Sequence, residues 1–415
     1  MININHFLWA YLLIYGISSL SEIAVNVINE IHLKKEREDF PDGFEGLIDR
    51  DKLSEMNAYT IDRTRSTIAS TVAGKALFLF IILSGLLPWL SDILSGYHFI
   101  LSGLIFLAVP GLLGSLVDLP FRYYDTFGIE ARYGFNTYTI GTWVLDLLKS
   151  FAIALVLGGV LLSLLLIMVQ YTGKTWWIWA WLIFSCFEIL VTVLYPTVIA
   201  PLFNTFVPVQ NEDLAIKIRE LSEREGLVVK GIFQMDAGRR SRHTNAYFSG
   251  LGRSKRIVLY DTLLDAHTDD EILAVLAHEI GHLKQGHIRK QLIIMGGASL
   301  ILFFLASKMM TWQILYASFG FSVAPVYVGL FLIAAVWEPL GFFLSPLAML
   351  VSRRFEREAD RYTGSALKRG KDLISALKKM ALDNLSNLRP HPLYVIFHYS
   401  HPPLLKRIEN LKKMI

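Results

Sequence analysis

Two imidazoles four residues apart are the most chemically loaded feature of this sequence. They lie in AVLAHEIGHLKQGH, which runs from Ala274 to His287. On a helix, residues i and i+4 share a face, so His278 and His282 project together and can hold one metal ion. Glu279 stands one step round the helix, within reach of a water on that ion. Zinc with three protein ligands keeps an open position and lowers the pKa of water there to about 7. A carboxylate beside it can take the proton and pass it to a leaving amine. That is the physical reason for H-E-x-x-H in zinc peptidases. The bland alternative is a surface helix with two unrelated histidines. Thr268 followed by Glu271 has capping-box spacing, and the helix expected over 269–287 is amphipathic, which favours the metal.

The third ligand must come from elsewhere. After His282 the chain reads LKQGH, with no GxxH to follow, so a metzincin arrangement is excluded. The segment SRRFEREADRY, Ser352 to Tyr362, places Glu356 and Asp360 at i and i+4. One can ligate zinc while the other hydrogen-bonds a ligand histidine and fixes its tautomer. Spacing alone serves equally well for a solvated charged helix beyond a membrane span, with Arg353 and Arg354 as interface anchors. The single cysteine, Cys186, excludes a disulfide within the chain and any CxxC metal motif, and reads as a small buried hydrophobe. His267, His287 and His398 read as structural.

The elements that must position these groups lie in a bilayer. Apolar residues make up 53% of the chain and charged residues 18%, against about 25% charged in soluble domains. Crossing the hydrocarbon core takes about 20 apolar residues. Seven segments qualify, near 7–25, 68–90, 98–118, 150–170, 176–202, 291–311 and 325–350. The fifth holds Pro196 and Pro201, so a kink or break is expected near its end. The apolar stretch at the N-terminus lacks a basic leader and a small-residue cleavage site, and reads as a retained first helix. Lys and Arg fall on alternate sides of the spans. They crowd 26–67, 119–149, 203–290 and the C-terminal tail, which puts the N-terminus outside and the C-terminus in the cytoplasm.

Four regions follow. Residues 1–202 form a membrane region of five helices with a charged 26–67 loop, whose part 34–60 is the one place for a linker. Residues 203–290 form a metallopeptidase region in which VVKGIFQM, TNAYFSG and RIVLYDTLL read as short strands punctuated by Gly238, Gly250 and Gly252. Residues 291–351 carry spans six and seven, and 352–415 form a cytoplasmic tail. Lys75, Glu188 and Glu338 stand inside spans, where such residues face a bundle interior or a water-filled cavity.

With these residues in place, the chain resembles the type I CAAX prenyl endopeptidases. HEIGH and, two spans later, SRRFEREAD carry the likeness. It extends to LPFRYYDTFGIEARYGFN (Leu119–Asn136), YPTVIAPLFNTFVPV (Tyr195–Val209), HTNAYFSG (His243–Gly250), KRIVLYDTLL (Lys255–Leu264) and YSHPPLLKRI (Tyr399–Ile408), all in order. The resemblance implies that His278, His282 and Glu356 bind one Zn2+, that Glu279 is the general base, and that Asp360 supports a ligand. It implies that substrate lies along the strand of NAYF, and that Asn245, His401 and Arg407 hold the peptide and the tetrahedral oxyanion. Without it, Asn245 reads as a strand end, His401 as a cap before Pro402 and Pro403, and Arg407 as a surface charge. Arg357 departs from the aromatic usual after the ligand glutamate, but faces away from Glu356. The implied fold is a mainly α polytopic membrane protein: about seven transmembrane helices around a chamber, with a cytoplasmic-side zinc metallopeptidase domain containing a small β-sheet.

The function expected is removal of the last three residues from prenylated CAAX tails. The alternatives are a prenyl-independent quality-control protease and, in another class, a non-catalytic membrane scaffold or transporter. The expected partners are a peptide or protein substrate, prenylated or not, and the lipid bilayer. No nucleic acid is expected, and the chain reads as a monomer. Compact loops favour a prokaryotic plasma membrane, with the endoplasmic reticulum membrane as the eukaryotic counterpart.

Overall fold

The computed structural model describes residues 4–35, 40, 43–44, 46–249 and 255–415. Gly250 and Gly252, which punctuate the expected strands, lie outside the described residues, as does Pro41 in the 34–60 stretch. Helix α1 (His6–Lys35) and α2 (Arg50–Leu83) form an antiparallel pair, followed by the short α3 (Leu86–Leu94). Helix α4 (Phe99–Tyr124) runs into a π-helical turn, Asp125–Glu130, and α5 (Ile140–Tyr171) returns. Helix α6 (Trp176–Leu194) ends in a second π-helical turn at Tyr195–Ile199 and the one-turn α7 (Ala200–Phe203). The break expected at Pro196 and Pro201 is therefore present.

A four-stranded sheet and its helices come next: β1 (Phe206–Pro208), α8 (Glu212–Arg224), β2 (Val229–Met235), β3 (Ala246–Ser249), β4 (Lys255–Tyr260) and α9 (Asp261–Ala266). Then follow α10 (Asp269–Lys284), α11 (His287–Met309), α12 (Gln313–Ser318), α13 (Val326–Arg361), α14 (Gly370–Asp383), α15 (Pro392–His398) and α16 (Leu404–Lys412). Among the described residues, seven helices are long and apolar enough to span a bilayer. They coincide with the seven expected segments, but most are longer.

Three expectations are corrected. The 26–67 stretch is helical to Lys35 and again from Arg50, so it is neither a loop nor, from residue 50, a linker. Asp49 caps α2 by accepting from the Lys52 N–H at 2.7 Å, and Leu53 and Met56 pack with Phe44, Leu385, Leu388 and Ile408. A charged surface hid this buried face. Cys186 is exposed rather than buried, because a membrane helix turns apolar faces away from protein as well as toward it. The helix expected through His287 stops at Lys284, where Gly286 takes a left-handed turn at φ +66°.

The apolar core of the membrane region gathers at one end. It joins Tyr11 and Tyr15 of α1, Ile82 of α2, Leu166 of α5, Phe319 and Tyr327. These sit at the start of α1 and α13 and at the end of α2 and α5, on the side opposite the sheet. Toward the sheet, the spans leave most apolar side chains uncovered. Of the charges expected inside spans, Lys75 and Glu338 are paired: Lys75 Nζ lies 2.5 Å from Glu338 and 3.3 Å from Glu22, tying α2 to α13 and α1.

Order in the sheet is β1-β2-β4-β3, with β2/β4 parallel and the outer pairs antiparallel. β1 was not expected; three residues containing Pro208 carry no strand pattern. Among the described residues β3 pairs on one side alone and is an edge strand. Arg240 bolts this domain to the membrane region, donating from Nε and Nη2 to Asp146 of α5 at 2.8 and 3.2 Å.

Candidate active site

The capping box expected at Thr268 and Glu271 starts α10. Ile272, Leu273, Leu276 and Ile280 bury its inner face against the sheet domain. His278, Glu279 and His282 leave another face. α13 delivers the partner groups. Its 36 residues rise about 54 Å, longer than a hydrocarbon core of about 30 Å, so its last turns stand clear of the spanning segment. They meet α10 at a close crossing. A methyl on Gly281 would lie 3.0 Å from Ala359 Cα. Glycine in HEIGH is what lets the two helices approach.

The crossing brings three groups together. His278 Nε2 lies 3.2 Å from Glu356 Oε2, His282 Nε2 lies 3.3 Å from Glu356 Oε1, and the two Nε2 atoms are 3.2 Å apart. Ligands about 2.0–2.1 Å from a tetrahedral zinc stand about 3.3 Å from one another. Glu356 Oε2 is buried with no hydrogen-bond partner. Two imidazole nitrogens and a partnerless buried carboxylate oxygen, so spaced, fit a metal ion.

Further polar groups stand around this triad. His278 Nδ1 lies 3.0 Å from Asp360 Oδ1. Arg407, buried on α16, forks onto Asp360 through Nε at 2.8 Å and Nη2 at 2.7 Å. Its Nη2 is 3.9 Å from Glu356. His401 Nε2 comes within 3.3 Å of Glu356 Oε1, while its ring is more than half exposed. Pro403, not His401, is the N-cap of α16. Burial pushes the Glu279 carboxyl above the usual carboxylate range and pulls the His401 imidazole below its ordinary value. Arg357 is exposed, away from the triad.

Asn245 stands apart. It is exposed just before β3, and its side chain meets the Ala246 N–H at 2.8 Å and the Tyr260 side chain. The edge of β3 runs beside α10. Sequence reasoning missed two neighbours. Arg353, read as an interface anchor, is buried and donates to the carbonyls of Val395 and Tyr399, both at 2.8 Å, fixing the turn that leads to His401. His287 reaches back to His282, Nδ1 to Nδ1, at 2.9 Å. No spacing rule pointed to either.

Comparison with known proteins agrees with this architecture. Residues 30–205 match the CAAX prenyl protease N-terminal region of five membrane helices, and 208–415 match peptidase family M48. A CAAX prenyl protease 1 homolog of Arabidopsis thaliana is 35% identical over 378 residues, covering 88% of each chain. CAAX prenyl protease 1 of Saccharomyces cerevisiae is 36% identical over 326 residues, covering 74% of this chain and 71% of that one. The crystal structure of S. mikatae Ste24p superposes with a TM-score of 0.90 at 30% identity, covering 97% of this chain and 99% of that one. With the two family regions together covering almost the whole chain, it belongs to peptidase family M48 and is a multi-pass integral-membrane metalloendopeptidase.

Proposed function

We propose that this chain is a zinc endopeptidase that removes the C-terminal tripeptide from prenylated CAAX-type peptides, with its active site toward the cytoplasm. The observation that carries the metal chemistry is the 3.2–3.3 Å spacing of His278, His282 and Glu356. The substrate class rests on the names of the relatives, which are CAAX prenyl proteases.

His278, His282 and Glu356 would hold the zinc. When bound, zinc supplies a Lewis acid that acidifies water at neutral pH. Glu279 accepts the proton of the attacking water and returns it to the leaving amine; its raised pKa suits both transfers. Asp360 holds His278 in the tautomer that leaves Nε2 free for the metal. The geometry supports a change in one expected role. Arg407 spends its fork on Asp360, so it acts first by fixing that carboxylate, not by gripping peptide. His401, exposed and a step from Glu356, is the donor placed for the developing oxyanion. Substrate extends β3 at its free edge, where main-chain hydrogen bonds hold a peptide of any sequence, and Asn245 marks where that strand begins.

The test compares one peptide in farnesylated and unprenylated forms, with the cut mapped by mass. Faster release of the terminal tripeptide from the farnesylated form is expected. Equal rates would remove prenyl recognition from the proposal.

A further inference from the structure

Five residues along a straight helix turn a side chain about 140° away. His287 should therefore face away from His282. It does not, because Gly286, left-handed at φ +66°, ends α10 and starts α11 in a new direction. His287, the first residue of α11, folds back over the site and is 3% exposed. Its ring lies flat on Phe355, with centroids 4.3 Å apart and planes 11° apart. Nδ1 is 2.9 Å from His282 Nδ1, and Nε2 is 3.1 Å from Glu358 Oε2. Arg354 Nε donates to the other oxygen of Glu358 at 2.9 Å, and Lys290 stands 3.5 Å from Oε2.

The proton positions follow. A histidine that gives Nε2 to a metal carries its proton on Nδ1. His282 Nδ1–H must then donate, so His287 Nδ1 must accept. That leaves the His287 proton on Nε2, facing the Glu358 carboxylate. One arrangement satisfies both contacts. At the other ligand, His278, Asp360 sits directly on Nδ1. At His282 the same task takes two residues.

We propose that His287 is a positioning residue for the metal ligand His282, with Glu358 as the terminal acceptor that fixes its tautomer. The proposal rests on the three-ligand reading of the site. Partners of this kind set the orientation and basicity of a ligand histidine, and their loss typically weakens metal binding about 10–100-fold.

The experiment titrates zinc into the metal-free full chain in detergent, against a competing chelator, with melting of the metal-free protein followed in parallel. His287→Leu removes the acceptor but keeps apolar bulk on Phe355. His287→Asn restores an oxygen near the place of Nδ1. The parent is expected to bind one zinc, His287→Leu to bind about 10–100-fold more weakly, and His287→Asn to recover to within about threefold of the parent, a rescue that bulk alone does not give. Metal-free melting should be the same in all three. Parent affinity in His287→Leu, or equal weakness in the Leu and Asn variants, would overturn the relay. If His287→Leu does not fold, Glu358→Ala decides: several-fold weaker binding supports the relay and parent affinity overturns it. A parent that binds no zinc overturns the three-ligand reading together with the relay, whereas variants that match a zinc-binding parent overturn the relay alone.

Discussion

Gly281 and Ala359 meet backbone to backbone, and a side chain on Gly281 would stand 3.0 Å from Ala359 Cα and 3.2 Å from its carbonyl oxygen. Glu356 sits one turn before Ala359 on the same helix, so this contact sets how far the third ligand stands from the histidines. Gly281→Ala should push α13 outward by a few tenths of an ångström. An expected fall in kcat/KM of about tenfold, with weaker zinc binding, follows from how steeply catalysis depends on placement. Gly281→Val should lose the metal. Peptide cleavage and zinc titration of the two variants check this, and parent kinetics in Gly281→Ala would separate the crossing from the site.

Glu279 should act on protons and leave the metal alone. Glu279→Gln keeps the size of the side chain and removes the base. Zinc content should match the parent, while kcat falls by about 10²–10⁴-fold. A variant that keeps both its zinc and its rate would assign proton transfer to another group.

Arg407 and Asp360 should fail together. Both are buried and joined by two hydrogen bonds. Arg407→Ala strands the carboxylate, a change that destabilises by about 3–5 kcal/mol when one partner of a buried pair is removed. Adding Asp360→Asn to it should cost less than the sum of the two single changes. Melting temperatures of the two single variants and the double variant form the cycle. Additive effects would mean that the pair does not act as a unit.

A pH effect is expected away from the metal, at His243. Its Nε2 lies 3.2 Å from Glu130 and its Nδ1 3.0 Å from Asn384 Oδ1, while its ring stacks on Phe135. Burial lowers the pKa of the imidazole and Arg63 opposes its charge. The bonds to Glu130 and Asn384 and the charge of Glu130 outweigh both, so it is raised. A raised folded-state value means the contact stabilises fully below the ordinary histidine range and is lost as pH rises through the raised value. The melting-temperature margin of the parent over His243→Gln should be larger at pH 6 than at pH 9. A margin independent of pH would show that His243 holds the β3 entry by packing alone.

Much of this was legible because it is local. Seven apolar runs, a capping box at Thr268 and an i, i+4 histidine pair are written in short windows, and each is present. Glu356 needed the family likeness, since helix spacing alone left it level with a solvated charge. What stayed hidden depends on contacts between distant segments. Leu53 and Met56 look like the apolar spacing of a charged stretch until α14 and α16 cover them. Arg353 reads as a membrane anchor until the Val395 and Tyr399 carbonyls point at it. His287 reads as structural in the sequence; a continuous helix would turn it away from His282, and a single left-handed glycine reverses that.

Metal content decides the central claim that two helices separated by two membrane crossings assemble the active site. Zinc per chain and peptide cleavage should be measured together in the purified parent, in Glu356→Ala and in the adjacent, exposed Arg357→Ala. The expected result is one zinc and full cleavage in the parent and in Arg357→Ala, with both lost in Glu356→Ala. Glu356→Ala retaining one zinc at parent affinity would contradict the site as described.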